Sequence, residues 1–171
     1  MPAFEAIAST SISSTTATIT FSSIPSSYEH LQIRVYARNS DSASNRFMTL
    51  TFNSDTGTNY TRHYLEGNDS NLSAVGTLGE TSCTVGRMAA NSAAANTFGS
   101  AIIEIVDYAS ANKYTTVRAF GGFDTSNTTG YLHFASGLWL NTAAVSTITL
   151  GFASGSFLSG STASLYGLRS A

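Results

Sequence analysis

Apolar and polar residues alternate with a period of two along much of this chain, and that period marks half-buried β-strands. Residues 16–22 set Ala17, Ile19 and Phe21 against Thr16, Thr18 and Thr20. Residues 29–38 set Leu31, Ile33, Val35 and Ala37 against Gln32, Arg34, Tyr36 and Arg38. Residues 46–53 set Met48, Leu50 and Phe52 against Thr49 and Thr51. Similar runs predict strands over 60–66, 81–87, 101–108, 114–120, 131–136, 145–152 and 164–168. The Ala-rich residues 89–95 lack an apolar stripe and read as loop rather than helix. About ten strands with Gly, Asn, Asp and Ser turns between them predict an all-β antiparallel β-sandwich, jelly-roll-like, with little helix. The nearly continuous apolar run Ala101–Tyr108 predicts a strand covered on both faces, with Glu104 at an edge or against a partner.

Fifty of the 171 residues are Ser or Thr, whereas 11% are charged and 42% hydrophobic. That is enough apolar material for a core, so the chain is not a disordered one. Thr and Ser suit the solvent face of a pleated sheet and its turns. The length fits one domain over 1–171. Residues 1–9 form an opening arm that either pairs as an edge strand or reaches a neighbouring subunit through Phe4, Ala6 and Ile7.

Cys83 is the only cysteine, so neither an intrachain disulfide nor a zinc cluster can be built. The net charge of -2 and the scattered arginines lack the basic footprint of nucleic-acid binding. No apolar run reaches the roughly twenty residues of a membrane helix. The opening Met1-Pro2-Ala3-Phe4-Glu5 has no secretory pattern, so synthesis and folding in a reducing cytoplasm are expected.

The ionisable residues do not form a familiar catalytic pattern. Asp55-Thr56-Gly57-Thr58 has the letters of an aspartic-protease turn. That chemistry needs a second carboxylate and an apolar approach strand, and here Asn53-Ser54 precede the aspartate, so a hairpin turn is expected. His30, His63 and His133 stand in no metal-ligand spacing. Asn68-Asp69-Ser70-Asn71 lacks the ordered acidic positions of a calcium loop. No catalytic residue, cofactor or metal is therefore expected. The sequons at Asn59, Asn68, Asn71 and Asn127 follow from the abundance of Asn, Ser and Thr. Trp139, between Leu138 and Leu140, reads as core, although Tyr and Trp can also stack on sugar rings. Tyr60, Arg62, His63 and Tyr64 cluster after a turn and are the candidate partner interface, since Tyr and Arg are enriched at binding hot spots.

Several strings resemble a family of small tailed-bacteriophage virion structural proteins. They are Leu31-Gln32-Ile33-Arg34, Phe52-Asn53-Ser54-Asp55-Thr56-Gly57-Thr58-Asn59-Tyr60, Asp107-Tyr108 with Asn112-Lys113-Tyr114, Ala135-Ser136-Gly137-Leu138-Trp139, and Leu165-Tyr166-Gly167-Leu168. The resemblance runs from Phe4 to Arg169. It implies a virion protein without catalytic residues: a capsid decoration (cement) protein that binds the major capsid protein across capsomers, or a tail or head-fibre module that grips host glycan. A cell-envelope hydrolase is the third class considered. The resemblance also implies a homo-oligomer, first of all a trimer at threefold positions of the head.

Overall fold

The structure is a computed structural model, and it describes residues 4–125 and 130–169. The sequon at Asn127 and residues 1–3 of the opening arm lie outside the described residues. The described residues form twelve strands: β1 (Phe4–Ser11), β2 (Ile19–Phe21), β3 (His30–Ala37), β4 (Asn45–Phe52), β5 (Tyr60–Asn68), β6 (Asn71–Glu80), β7 (Cys83–Ala89), β8 (Gly99–Val106), β9 (Thr115–Phe123), β10 (Tyr131–Trp139), β11 (Ile148–Phe152) and β12 (Thr162–Leu168). All pairings between them are antiparallel, in an eight-strand sheet ordered β1-β12-β3-β8-β9-β10-β5-β6 and a four-strand sheet ordered β2-β11-β4-β7.

Ten of these strands answer to the runs read from the sequence, and β1 and β6 are additional. The opening arm pairs with β12 as an edge strand of its own sheet. β6 forms as the return of a hairpin from β5, across the turn at Asp69, whose φ of 50° is left-handed. The strand β6 has few β-branched residues and two glycines, Gly76 and Gly79, so propensity alone does not reveal it.

The core fills the space between the two sheets. Leu31, Ile33 and Ile103 from the large sheet are fully buried, as are Met48, Leu50, Phe52 and Ile148 from the small one. Strand β7 lies closest to the large sheet. At Gly137 of β10 an added Cβ would stand only 2.7 Å from Cys83 Sγ of β7, so glycine permits that approach. Burial pushes the Cys83 thiol up to about 12, which keeps it protonated and inert.

Strand β8 corrects one expectation. It is internal, between β3 and β9, but it is not covered on both faces. Ala101, Ile103 and Ile105 face the core, whereas Ile102 and Glu104 face outward and are exposed. Glu104 lies in register between Gln32 and Arg118, on open sheet rather than at an edge.

Residues 89–95 contain no helix: β7 ends at Ala89, and the rest is loop. This loop is organised by Arg38, which is 8% exposed. Its guanidinium donates to the carbonyls of Asn91, Ala93, Ala94 and Thr97 at 2.8–3.3 Å.

Candidate functional site

The four residues grouped from the sequence do not form one surface. Alternation along β5 sends Tyr60, Arg62, Tyr64 and Glu66 to the inner face, and His63 and Leu65 to the outer. Tyr60 is fully buried; its hydroxyl donates to the Asp55 carbonyl and accepts from the Phe52 amide, both at 3.0 Å. Burial raises the pKa of its phenol. Arg62 pairs with Glu80 at 3.3 Å, and Tyr64 packs beside Phe47 and His133. Only His63 of the four is exposed on the outer face. Tyr60 is therefore core and cannot meet a partner, because a strand with one covered face must bury every second residue; Arg62, His63 and Tyr64 keep exposed surface.

The Asp55 turn is structural. Its carboxylate accepts from the Gly57 amide at 2.9 Å, Asn59 Nδ2 at 2.6 Å and the buried Trp139 Nε1 at 2.7 Å. Trp139 is 1% exposed, so the core reading holds, and this bond satisfies its indole N–H. Asp55→Ala would strand that donor inside the protein and is expected to destabilise the fold by about 2 kcal/mol. A denaturant midpoint equal to that of the parent would contradict this.

The histidines take separate places. His30 lies near Glu29 and Asp107, where one ligand atom from each falls within 4.8 Å of the others. The His30 Nδ1 already accepts from the Asp107 amide at 3.1 Å, and the Asp107 carboxylate is bound by Lys113. His133 is fully buried beneath β5 and β10. Its Nδ1 lies 3.1 Å from one oxygen of Glu66, and the other oxygen of Glu66 accepts from Arg87 Nη2 at 2.9 Å. Arg87 comes from β7, so this triad bridges the two sheets. The Arg87 guanidinium also lies over the rings of Phe47, at 3.8 Å, and Tyr131, at 4.8 Å. Burial pushes the Glu66 carboxyl up, but the His133 hydrogen bond and the Arg87 charge outweigh it and hold the carboxyl below its ordinary 4.5. Among the described residues, His133 Nε2 is buried without a hydrogen-bond partner. The triad joins the two sheets through its charge-assisted bonds.

The outer face of the large sheet is the feature that sequence reasoning missed. Cross-strand register places Ile102, Phe120, Phe134, Leu65 and Ala74 side by side on β8, β9, β10, β5 and β6. Ile102, Phe120, Phe134 and Leu65 are 44–53% exposed. Leu132 and Leu72, in the next row, are more exposed still. Two shallow grooves flank Phe120 and Phe134 on this face. One of about 910 Å³ runs past Ile102, Phe120 and Leu132 to Asp69 and Asp124, and one of about 450 Å³ lies between Leu65 and Phe134. Across the other side of the apolar row run Gln32, Glu104, Arg118, Ser136 and His63. The signal was present in the sequence, since β8 and β10 carry apolar residues at both parities. In β8 this pattern predicts cover on both faces, which the structure does not supply.

A scan against protein-family models finds no match to this chain, and no curated protein matches it.

Proposed function

We propose that this chain is a structural protein of a tailed-phage virion that acts by binding rather than by catalysis. Within that class it is a capsid decoration protein, made in the bacterial cytoplasm and carried on the head as a homo-oligomer. The outer face of its large sheet docks on the major capsid protein and spans neighbouring capsomers. The observation that carries this reading is the exposed apolar row Ile102, Phe120, Phe134 and Leu65. Monomeric soluble proteins rarely leave such a contiguous patch uncovered. A standard interface covers about 800 Å² per partner, with an apolar core and a polar rim. Three strand spacings of ~4.8 Å make the row about 14 Å across, with Leu132 and Leu72 in the next row widening it, and Glu104, Arg118 and His63 supply a rim.

Strand order supports the jelly-roll part of the reading. An eight-strand jelly roll pairs its strands 1-8-3-6 in one sheet and 2-7-4-5 in the other. Numbering β2 as the first strand, the small sheet β2-β11-β4-β7 follows the first order. The segment β3-β8-β9-β10-β5-β6 follows the second, with the meander β8-β9-β10 in the seventh place. Three strands replace one there without changing direction, because both numbers are odd. The added strands β1 and β12 extend the same sheet. Such jelly rolls are common in viral capsid proteins, which is an analogy of fold alone.

The test is binding to purified heads that lack the protein. Phe120→Ser with Phe134→Ser should weaken binding about 30-fold, the equivalent of about 2 kcal/mol. Heads lacking the protein should assemble yet break at lower temperature, since a ligand of the assembled lattice stabilises it by mass action. Heads of normal stability with lost adsorption to host cells would overturn decoration in favour of a glycan-gripping fibre module.

A further inference from the structure

The two sheets end in four edge strands: β1 and β6 in the large sheet, β2 and β7 in the small. Natural proteins defend such edges, because a free row of N–H and C=O groups is a template for another strand. Three of the four are defended. β2 is three residues long. β7 is buried along nearly its whole length against the large sheet. β1 has a bulge between Ala6 and Ala8, and carries Glu5.

β6 has no such device between Asn71 and Leu78. At ten residues it is the longest strand of the fold, and most of it is exposed. No charged residue or proline occurs from Asn71 through Gly79. Its one register irregularity, opposite Tyr60 and Thr61, sits at its far end beside Glu80. Leu72 and Leu78, 74% and 77% exposed, stand near its two ends.

The residues of β6 also say what would pair with it. The run Leu72-Ser73-Ala74-Val75-Gly76-Thr77-Leu78 reads the same by chemical class in both directions about Val75. A twofold antiparallel contact sets each residue against its mirror position on the other strand, so this run would meet its own kind throughout. We propose that two copies of this chain pair through β6, antiparallel about a twofold axis at Val75, and join their large sheets into one sheet of sixteen strands.

In that pairing Leu72 meets the partner's Leu78, Ser73 meets the partner's Thr77, and Ala74 meets the partner's Gly76. Apolar, hydroxyl and small side chains thus each face their own kind, and such cross-strand pairs are stabilising. Val75 meets its own copy at the axis. Glu80 falls beside the partner's Ser70, so no like charges meet. The pairing uses the β6 edge and leaves Ile102, Phe120, Phe134 and Leu65 uncovered, so it stands or falls independently of the virion reading. A contact of one strand pair is narrow, and micromolar association is the scale expected of it.

Sedimentation of the full chain at micromolar concentration tests this directly. The expected species is about 36 kDa, twice the 17.9 kDa chain. Val75→Lys places two ammonium groups together at the axis and should raise the dissociation constant at least tenfold, with circular dichroism unchanged. Val75→Cys should form a covalent dimer on mild oxidation, because Cys83 is fully buried and cannot compete. The cross-link keeps the proposal testable if the lysine variant fails to fold. A monomer or a trimer at every concentration, a dimer indifferent to Val75→Lys, or a Val75→Cys chain that does not cross-link would each overturn the pairing.

Discussion

Glu66→Ala is expected to destabilise the fold by about 3–5 kcal/mol, the cost of breaking a buried ion pair from one side. Glu66 is the only anion bonded to both Arg87 and His133 among the described residues, and it is 6% exposed. Without it, a guanidinium from the small sheet faces the large sheet with no counter-charge. His133 Nδ1 loses the carboxylate oxygen that accepts its proton, while His133 Nε2 and Arg87 Nε are already buried without hydrogen bonds. The measured loss would reflect stranded polar groups, not the net worth of the bridge against an apolar replacement. A denaturant midpoint within experimental error of the parent would show that β7 is held by packing alone.

The same site has a pH dependence with a definite sign. The Glu66 carboxyl titrates below 4.5 in the folded protein, so the unfolded chain binds its proton first. Its stabilisation is therefore complete above about pH 4.5 and is lost as the pH falls through the lower folded value. Glu66→Gln should flatten the fall in stability on acidification. Part of the slope should remain, since the Ala43 amide holds the Asp41 carboxyl below 3.8 and the Lys113 hydrogen bond does so for Asp107. An unchanged acid profile in the Gln variant would refute the assignment.

Arg38→Ala is the second large effect expected, about 3 kcal/mol, because bonds from a charged donor are the stronger ones. One planar guanidinium holds four carbonyls between Asn91 and Thr97, so its removal leaves the loop without an organising donor. Amide exchange over residues 90–98 should accelerate more than exchange in β8, which the loop precedes. Arg38→Lys should restore only part of the loss, since an ammonium cannot reproduce the flat fork. Stability within about 0.5 kcal/mol of the parent, the usual range of a neutral surface change, would refute this role.

Local pattern carried much of the architecture. Where one parity is apolar and the other Thr, as in β2 and β4, alternation is enough to give both the strand and its buried face. Trp139 was legible as core and the Asp55 segment as a turn from local residues, but the turn crosses from β4 of the small sheet to β5 of the large one and is not the expected hairpin. The bond that joins Trp139 to Asp55 spans 84 residues and was not legible. The triad of Glu66, Arg87 and His133 was likewise hidden, because its members come from three strands and no spacing in the chain relates them.

The candidate surface lay further out of reach. In β8 and β10 both parities are apolar, and alternation cannot then say which side is covered. β6, nearly without β-branched residues, gave no strand signal at all, yet the fold makes it an edge. By itself, the sequence determined that this chain folds as β-sheet, with hydroxyl-rich solvent faces and no cysteine framework. Only the tertiary structure decided that Tyr60 is core and that Ile102, Phe120, Phe134 and Leu65 form one exposed row. The reason is that strand identity follows from neighbours in the chain, whereas exposure depends on which sheet lies above each strand, and that is set by contacts between distant segments.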